Sequence, residues 1–217
     1  MSSRRRVLLL SPALLAAVAL AGCSIADDGP RTAQTRDVAP FTRVDNRDSV
    51  DVRLHVGAPR HVRVRAGEKV IDDVRTDVRD GTLRVTFDHE GMFGGGAVVD
   101  AWVPKLTGVE ASGSGDIDVD GIRADAFALR SDGSSDIALR GRTKTLSVDV
   151  SGSGDADLAD LDARDAHVAV DGSGDADVRA DRRLDVAVEG SGDVRYYGRP
   201  AVTRRVDGSG DLRRAGE

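Results

Sequence analysis

The chain has 217 residues and a mass of 22.8 kDa, with 40% hydrophobic, 31% charged and only 3% aromatic residues, one cysteine and a formal net charge of -6. That length suits one domain with enough chain to bury a core, and the apolar fraction is too high for wholesale disorder. A single cysteine excludes an intramolecular disulfide, zinc fingers and iron–sulfur sites, and an acidic balance without a basic stripe argues against nucleic-acid binding.

The amino terminus reads as an address. Arg4, Arg5 and Arg6 form a positive region, and the apolar run from Val7 to Ala21 is too short to span a bilayer comfortably as a helix. It ends in Leu20-Ala21-Gly22-Cys23, which resembles a bacterial lipobox, where cleavage precedes a cysteine whose thiol takes a diacylglycerol. The alternative is a plain secretory signal with an accidental cysteine. On the lipobox reading, residues 1–22 are a signal peptide, Cys23 is the lipidation site, and the membrane is a partner through that lipid. Residues 23–39 are polar with scattered Pro, Gly, Asp and Arg, and predict a flexible tether. The protein is then expected on the extracytoplasmic side. That means the outer membrane or periplasm if the host has two membranes, and the outer face of the plasma membrane if it has one.

From residue 40 the pattern is that of strands. Val50, Val52 and Leu54 alternate with Asp51, Arg53 and His55, and His61 to Val64 follow after Val56-Gly57-Ala58-Pro59-Arg60. A loop of that length predicts a hairpin with Leu54 opposite Val62 and Val52 opposite Val64. Asp80-Gly81 turns into Leu83 to Phe87, Gly91 to Gly96 reads as a glycine-rich loop, and Val98 to Val103 is a strand stopped by Pro104. Residues 40–105 are expected to form an amino-terminal cap and first coils.

A repeat fills residues 106–215. Gly113-Ser114-Gly115-Asp116 recurs as Gly133-Ser134-Ser135-Asp136, Gly152-Ser153-Gly154-Asp155, Gly172-Ser173-Gly174-Asp175, Gly190-Ser191-Gly192-Asp193 and Gly208-Ser209-Gly210-Asp211. The aspartates are separated by 20, 19, 20, 18 and 18 residues. Three residues after them stand Val119, Leu139, Leu158, Val178 and Tyr196, and before the turns Val148/Val150, Val168/Val170 and Val186/Val188 alternate with polar neighbours. Period-two alternation marks half-buried strands, and a unit this short cannot bury its apolar face alone. Stacked units can, each strand pairing with its counterpart in the next at about 4.8 Å. The fold predicted is all-β, a parallel β-helix or solenoid with a strand and hairpin cap. An antiparallel sandwich with degenerate hairpins is the alternative.

The lipobox, the Phe41-Thr42-Arg43-Val44 opening, the Gly81-Thr82-Leu83-Arg84-Val85 element and the G-S-G-D turns together resemble the head GIN domain family, a family labelled as auto-transporter adhesin domains. The resemblance covers about residues 40 to 215. It implies a right-handed β-helix-like fold and an envelope location, and it brings no catalytic or ligand residues. Ser135, where the other turns carry glycine, departs from the pattern.

Stacking would place Asp116, Asp136, Asp155, Asp175, Asp193 and Asp211 in a ladder, where neighbours at about 4.8 Å repel by about 0.9 kcal/mol in water. Either each carboxylate accepts backbone N–H bonds within its own turn, or calcium is shared between rungs with help from Asp118, Asp157 or Asp177. Calcium is thus the one candidate cofactor. His55 and His61 are expected to face each other across the hairpin, where they could catch a transition metal. His89 is isolated, and His167, next to Val168, is expected in solvent.

No nucleophile elbow exists, and carboxylates in identical turns lack the difference in environment that acid–base catalysis needs, so no catalytic residue is assigned. Tyr196 takes an inward position; Tyr197 is expected to point outward, as a coil-side ring or as a surface contact for a partner. The leading reading is a non-catalytic, lipid-anchored envelope protein that binds a surface glycan or another envelope protein. The alternatives are a structural or stress-related component without a dedicated ligand, and a carbohydrate-active enzyme.

Overall fold

The computed structural model describes residues 28–88 and 96–216, and every regular element among them is a strand. The signal segment, Cys23, His89 and most of the Gly91 to Gly96 loop lie outside the described residues.

The amino-terminal part comprises β1 (Arg31–Arg36), β2 (Arg43–Asn46), β3 (Asp51–Val56), β4 (His61–Gly67), β5 (Val74–Arg79), β6 (Thr82–Phe87), β7 (Val98–Val103) and β8 (Gly108–Ala111). The repeats supply β9 (Ile117–Ser131), β10 (Ile137–Gly152), β11 (Ala156–Gly172), β12 (Ala176–Gly190), β13 (Val194–Tyr197), β14 (Ala201–Gly208) and β15 (Leu212–Arg214). From β9 to β12 each strand runs nearly the whole coil between one corner and the next. Each pairs in parallel with the strands before and after it: Val148 stands against Leu129 on one side and Val168 on the other. β13 and β14 share the next coil against β12, and β15 follows on β13. The result is a parallel β-solenoid of about five turns, and parallel pairing of successive repeats rules out the antiparallel sandwich.

The alternating apolar residues line the interior in columns. Phe127, Leu146, Ala166 and Leu184 form one, and Leu129, Val148, Val168 and Val186 another, all buried. Burying a Val or Leu side chain stabilises by about 1.5–3 kcal/mol, and the narrow coil has room for aliphatic residues but few rings. Glycine at the corners is a matter of close approach. A Cβ on Gly154 would sit 2.1 Å from the Ser135 carbonyl oxygen of the preceding rung. Where Ser135 replaces glycine, its Oγ donates to the Gly113 carbonyl, 3.2 Å away, alongside the Ser134 amide at 3.0 Å.

Two expectations are corrected at the amino-terminal end. The segment read as a flexible tether, residues 23–39, contains β1, which pairs antiparallel with β4 from Arg31 opposite Gly67 to Arg36 opposite Val62. The hairpin between residues 50–56 and 61–64 does not form: β7 lies between them, parallel to β3 and antiparallel to β4. Leu54 and Val62 thus each stand opposite Ala101 instead of opposite one another. Parallel pairs reach into residues 40–105, where β2 pairs with β6 and β8, and β3 with β7 and β9. Antiparallel strands close this end: β4 and β1 on one side, β5 against β6 on the other.

At the opposite end no such cover is found among the described residues. β14 pairs only with β12, and β15 only with β13. In this last coil three interior columns end in exposed residues, Val202 above Leu184, Arg204 above Val186 and Arg214 above Tyr196, while Val206 above Val188 and Leu212 above Val194 stay partly buried. Charges at core-facing positions keep an open strand edge from recruiting another.

Candidate functional site

The corner aspartates do form a ladder, with a different bond from the one expected. From Asp116 to Asp193 each carboxylate accepts from the backbone amide of the next corner, not from its own turn. The Asp136 N–H donates to Asp116 Oδ1 (3.2 Å), Asp155 to Asp136 (3.0 Å), Asp175 to Asp155 (2.8 Å), Asp193 to Asp175 (2.9 Å) and Asp211 to Asp193 (2.9 Å). Register explains it: with corners stacked in parallel, the amide of one rung is the donor nearest the carboxylate of the rung before. The ladder also has a member the repeat did not reveal. The Asp116 N–H donates to Asp51 Oδ1 (3.2 Å), so Asp48-Ser49-Val50-Asp51 is the first corner. Asn46, fully buried, fixes that corner by donating from Nδ2 to the Val50 carbonyl (2.8 Å) and the Gly115 carbonyl (3.3 Å).

A second acidic column runs beside the first. Asp118, Ala138, Asp157 and Asp177 occupy matching outward positions, and the small side chain of Ala138 opens a concavity of about 430 Å³ bordered by Asp116, Asp136 and Asp155 on one flank and Asp118 and Asp157 on the other. Arg140 reaches Asp118 at 2.6 Å and Asp120 at 3.5 Å, and Arg195 bridges Asp175 (3.4 Å) and Asp177 (3.5 Å). The Asp177 carboxyl is pushed above its ordinary range, chiefly by burial, with Asp157, Asp175 and Asp155 adding to the rise and Arg195 opposing it. Among the described residues no group of three or more His, Cys, Asp or Glu is arranged to hold a metal ion.

The two cap histidines fall elsewhere than expected, whereas His167, Tyr196 and Tyr197 take the positions expected of them. His55 and His61 do not face each other, because Trp102 on β7 stands between them. Its ring stacks on His55 at 5.1 Å and tilts against His61 at 5.3 Å. With both faces of the indole occupied, the histidines cannot converge on one metal. His167 is exposed. Tyr196 packs partly buried against the core, and Tyr197 lies half-buried on the outer wall with the Arg179 guanidinium over its ring at 5.3 Å.

A further concavity, of about 340 Å³, went unseen in the sequence. Lys105, Arg123, Arg142 and Lys144 surround it, with Asp125 as its one carboxylate and Ala124 and Thr143 beneath.

The described residues thus form a parallel β-solenoid whose walls carry charged concavities. The family described as "Putative auto-transporter adhesin, head GIN domain" matches residues 40–200, and the chain belongs to that family. Solved structures share the fold. A "putative adhesin" from Bacteroides fragilis superposes with a TM-score of 0.70 at 19% identity, covering 85% of this chain and 97% of its own. A "putative lipid binding protein" from Parabacteroides distasonis gives 0.57 at 19% identity, covering 86% and 97%, and a "putative adhesin" from the same species 0.56 at 20%, covering 87% and 98%. No match is found among curated proteins.

Proposed function

We propose that the protein is a lipid-anchored, non-catalytic binding module of the cell envelope, held by a diacylglycerol on Cys23 and presenting its solenoid walls to a surface glycan or another envelope protein. The observation that carries this reading is the uniformity of the corner ladder. From Asp51 to Asp193, six carboxylates do the same structural work, each accepting the amide of the next rung. Acid–base catalysis needs two carboxyl groups in contrasting surroundings, and a stack of equivalent rungs offers recognition along a wall instead. The adhesin label of the family supports the same reading.

Two experiments test it. Metabolic labelling with an alkynyl fatty acid should mark the chain and fail on Cys23→Ala, which should also leave the membrane fraction. Purified full-length protein should bind isolated envelope fragments. Retention of the label by the alanine variant would overturn the anchor, and a wild-type chain that binds no envelope fraction would favour the purely structural reading.

A further inference from the structure

We infer that the cleft between Lys105, Arg123, Arg142 and Lys144 is a binding site for the anionic groups of a polyanionic glycan; the inference rests on the binding reading above and names the ligand class. Four cations and one carboxylate line this cleft in a chain whose formal charge is -6. The excess is built in by register. Arg123 on β9 and Arg142 on β10 are direct neighbours across parallel strands, with both side chains exposed. At the strand spacing of about 4.8 Å, two such charges repel one another.

At some other wall positions a carboxylate offsets such repulsion. Arg182 pairs with Asp165, and Arg140 with Asp118. Here it is not: neither the Arg123 nor the Arg142 guanidinium has an ion pair or hydrogen bond among the described residues. Asp162 stands in register with Arg142 but turns toward Arg179, at 3.7 Å. Asp125 is taken by Lys144 at 2.7 Å, and both Lys144 and Lys105 hold its carboxyl below the ordinary range. Lys105 comes from the chain between β7 and β8 and closes the cleft from the rung before. Two free forks with rigid donors suit bidentate capture of carboxylate or phosphate.

The shape selects among polyanions. The floor of Ala124 and Thr143 leaves a concavity about the size of a small ligand site, into which one charged sugar unit fits. A flat anionic membrane meets a protruding basic face better than a recess, and the net negative charge of the chain opposes approach to such a surface. Among carboxylated and phosphorylated envelope polymers, a glycan with anions at regular intervals places one in the cleft and lets the chain continue along the wall.

The test uses the full chain purified in non-ionic detergent, with immobilised polygalacturonate as probe and neutral dextran as control. Polygalacturonate should bind, dextran should not, and binding should fade as salt approaches about 1 M, where charges are screened beyond about 3 Å. The double substitution Arg123→Ser/Arg142→Ser should weaken binding at least tenfold and leave the thermal midpoint unchanged or raised, since a repulsion is removed. The charge-matched pair Arg75→Ser/Arg79→Ser, in the cap and outside the concavity that Arg31, Arg53, Arg63 and Arg65 line, should retain the wild-type affinity.

Equal loss in both variants would show attraction to overall charge and overturn the assignment, as would undiminished affinity in the cleft variant. Phosphatidylglycerol vesicles bound through the cleft in preference to the polymer would make it a membrane contact. Cleft-dependent self-association in sedimentation would make a second copy the occupant. With envelope fragments as the probe, loss in the cleft variant supports both readings. Undiminished binding there overturns the cleft and spares the binding function, whereas no binding by the wild type overturns both.

Discussion

Asp155 separates the two forces acting on the corner ladder. Its Oδ1 accepts the Asp175 amide at 2.8 Å, and its own amide donates to Asp136 at 3.0 Å. A hydrogen bond to a charged group is worth about 1.5–3 kcal/mol. Against it stand two like-charged neighbours at about 4.8 Å, each worth about 0.9 kcal/mol of repulsion in water and less once salt is added. Asp155→Ala removes the acceptor and the repulsion together, and should destabilise by about 1 kcal/mol. Asp155→Asn keeps an oxygen acceptor, weakens the bond to that of a neutral pair and removes the repulsion, so it should lie within about 0.5 kcal/mol of the wild type. Urea denaturation followed by far-ultraviolet circular dichroism measures both. Salt should stabilise the wild type more than the asparagine variant, and a chelator should change neither. The reasoning is refuted if asparagine falls to the level of alanine, or if chelation lowers the midpoint, since either result would mean that a bound cation holds the charges together.

Asp177→Asn should stabilise the protein at neutral pH, because burial and neighbouring carboxylates penalise the ionised form. The gain should disappear as the pH falls through the raised value of Asp177 to below the ordinary carboxylate range, where the wild-type group is also neutral. A melting difference that does not depend on pH would contradict it. Gly154→Ala should cost about 2 kcal/mol or more, since its Cβ would meet the Ser135 carbonyl oxygen at 2.1 Å and the obstacle is backbone. An unchanged denaturation midpoint would show that the corner spreads freely. Arg204→Val with Arg214→Val should turn the open coil into an adhesive edge, visible as concentration-dependent association in sedimentation velocity. A double variant that sediments like the parent would show that these charges do not guard the edge.

The stacking of the coils was legible because a single period repeated through the chain, and the spacing of Asp116 to Asp211 alone gives the register of one rung on the next. The cap was not, because the length of a loop says nothing about a strand arriving from elsewhere. Residues 57–60 would close a hairpin, yet β7, some forty residues later in the chain, takes the place between β3 and β4. Asp51 hid behind a corner that reads D-S-V-D, with valine where the repeats have their second glycine. A search by aspartate and following alternation instead of by glycine would have found it. The direction of the ladder bonds depends on how the corners stack, which periodicity leaves open. The Arg123–Arg142 pairing lay beyond reach for a related reason: the register of β9 on β10 shifts between Leu139 and Gly141, so constant spacing from the corner does not carry across to that wall.

The contrast between a covered end and a bare one gives the solenoid a direction of failure. In a stack where each coil touches only its neighbours, disruption starts where a coil has a neighbour on one side alone and travels inward. The last coil, with exposed Val202 and two arginines in its apolar columns, is that place, while the cap is tied by strands from both walls. The chain has a single tryptophan, and Trp102 lies in the cap. Its fluorescence is therefore a clock set at the far end of the rod. If the coils peel away from the carboxyl terminus, dichroism should decline before the indole emission moves, and the lag between the two signals times the passage of the unzipping front.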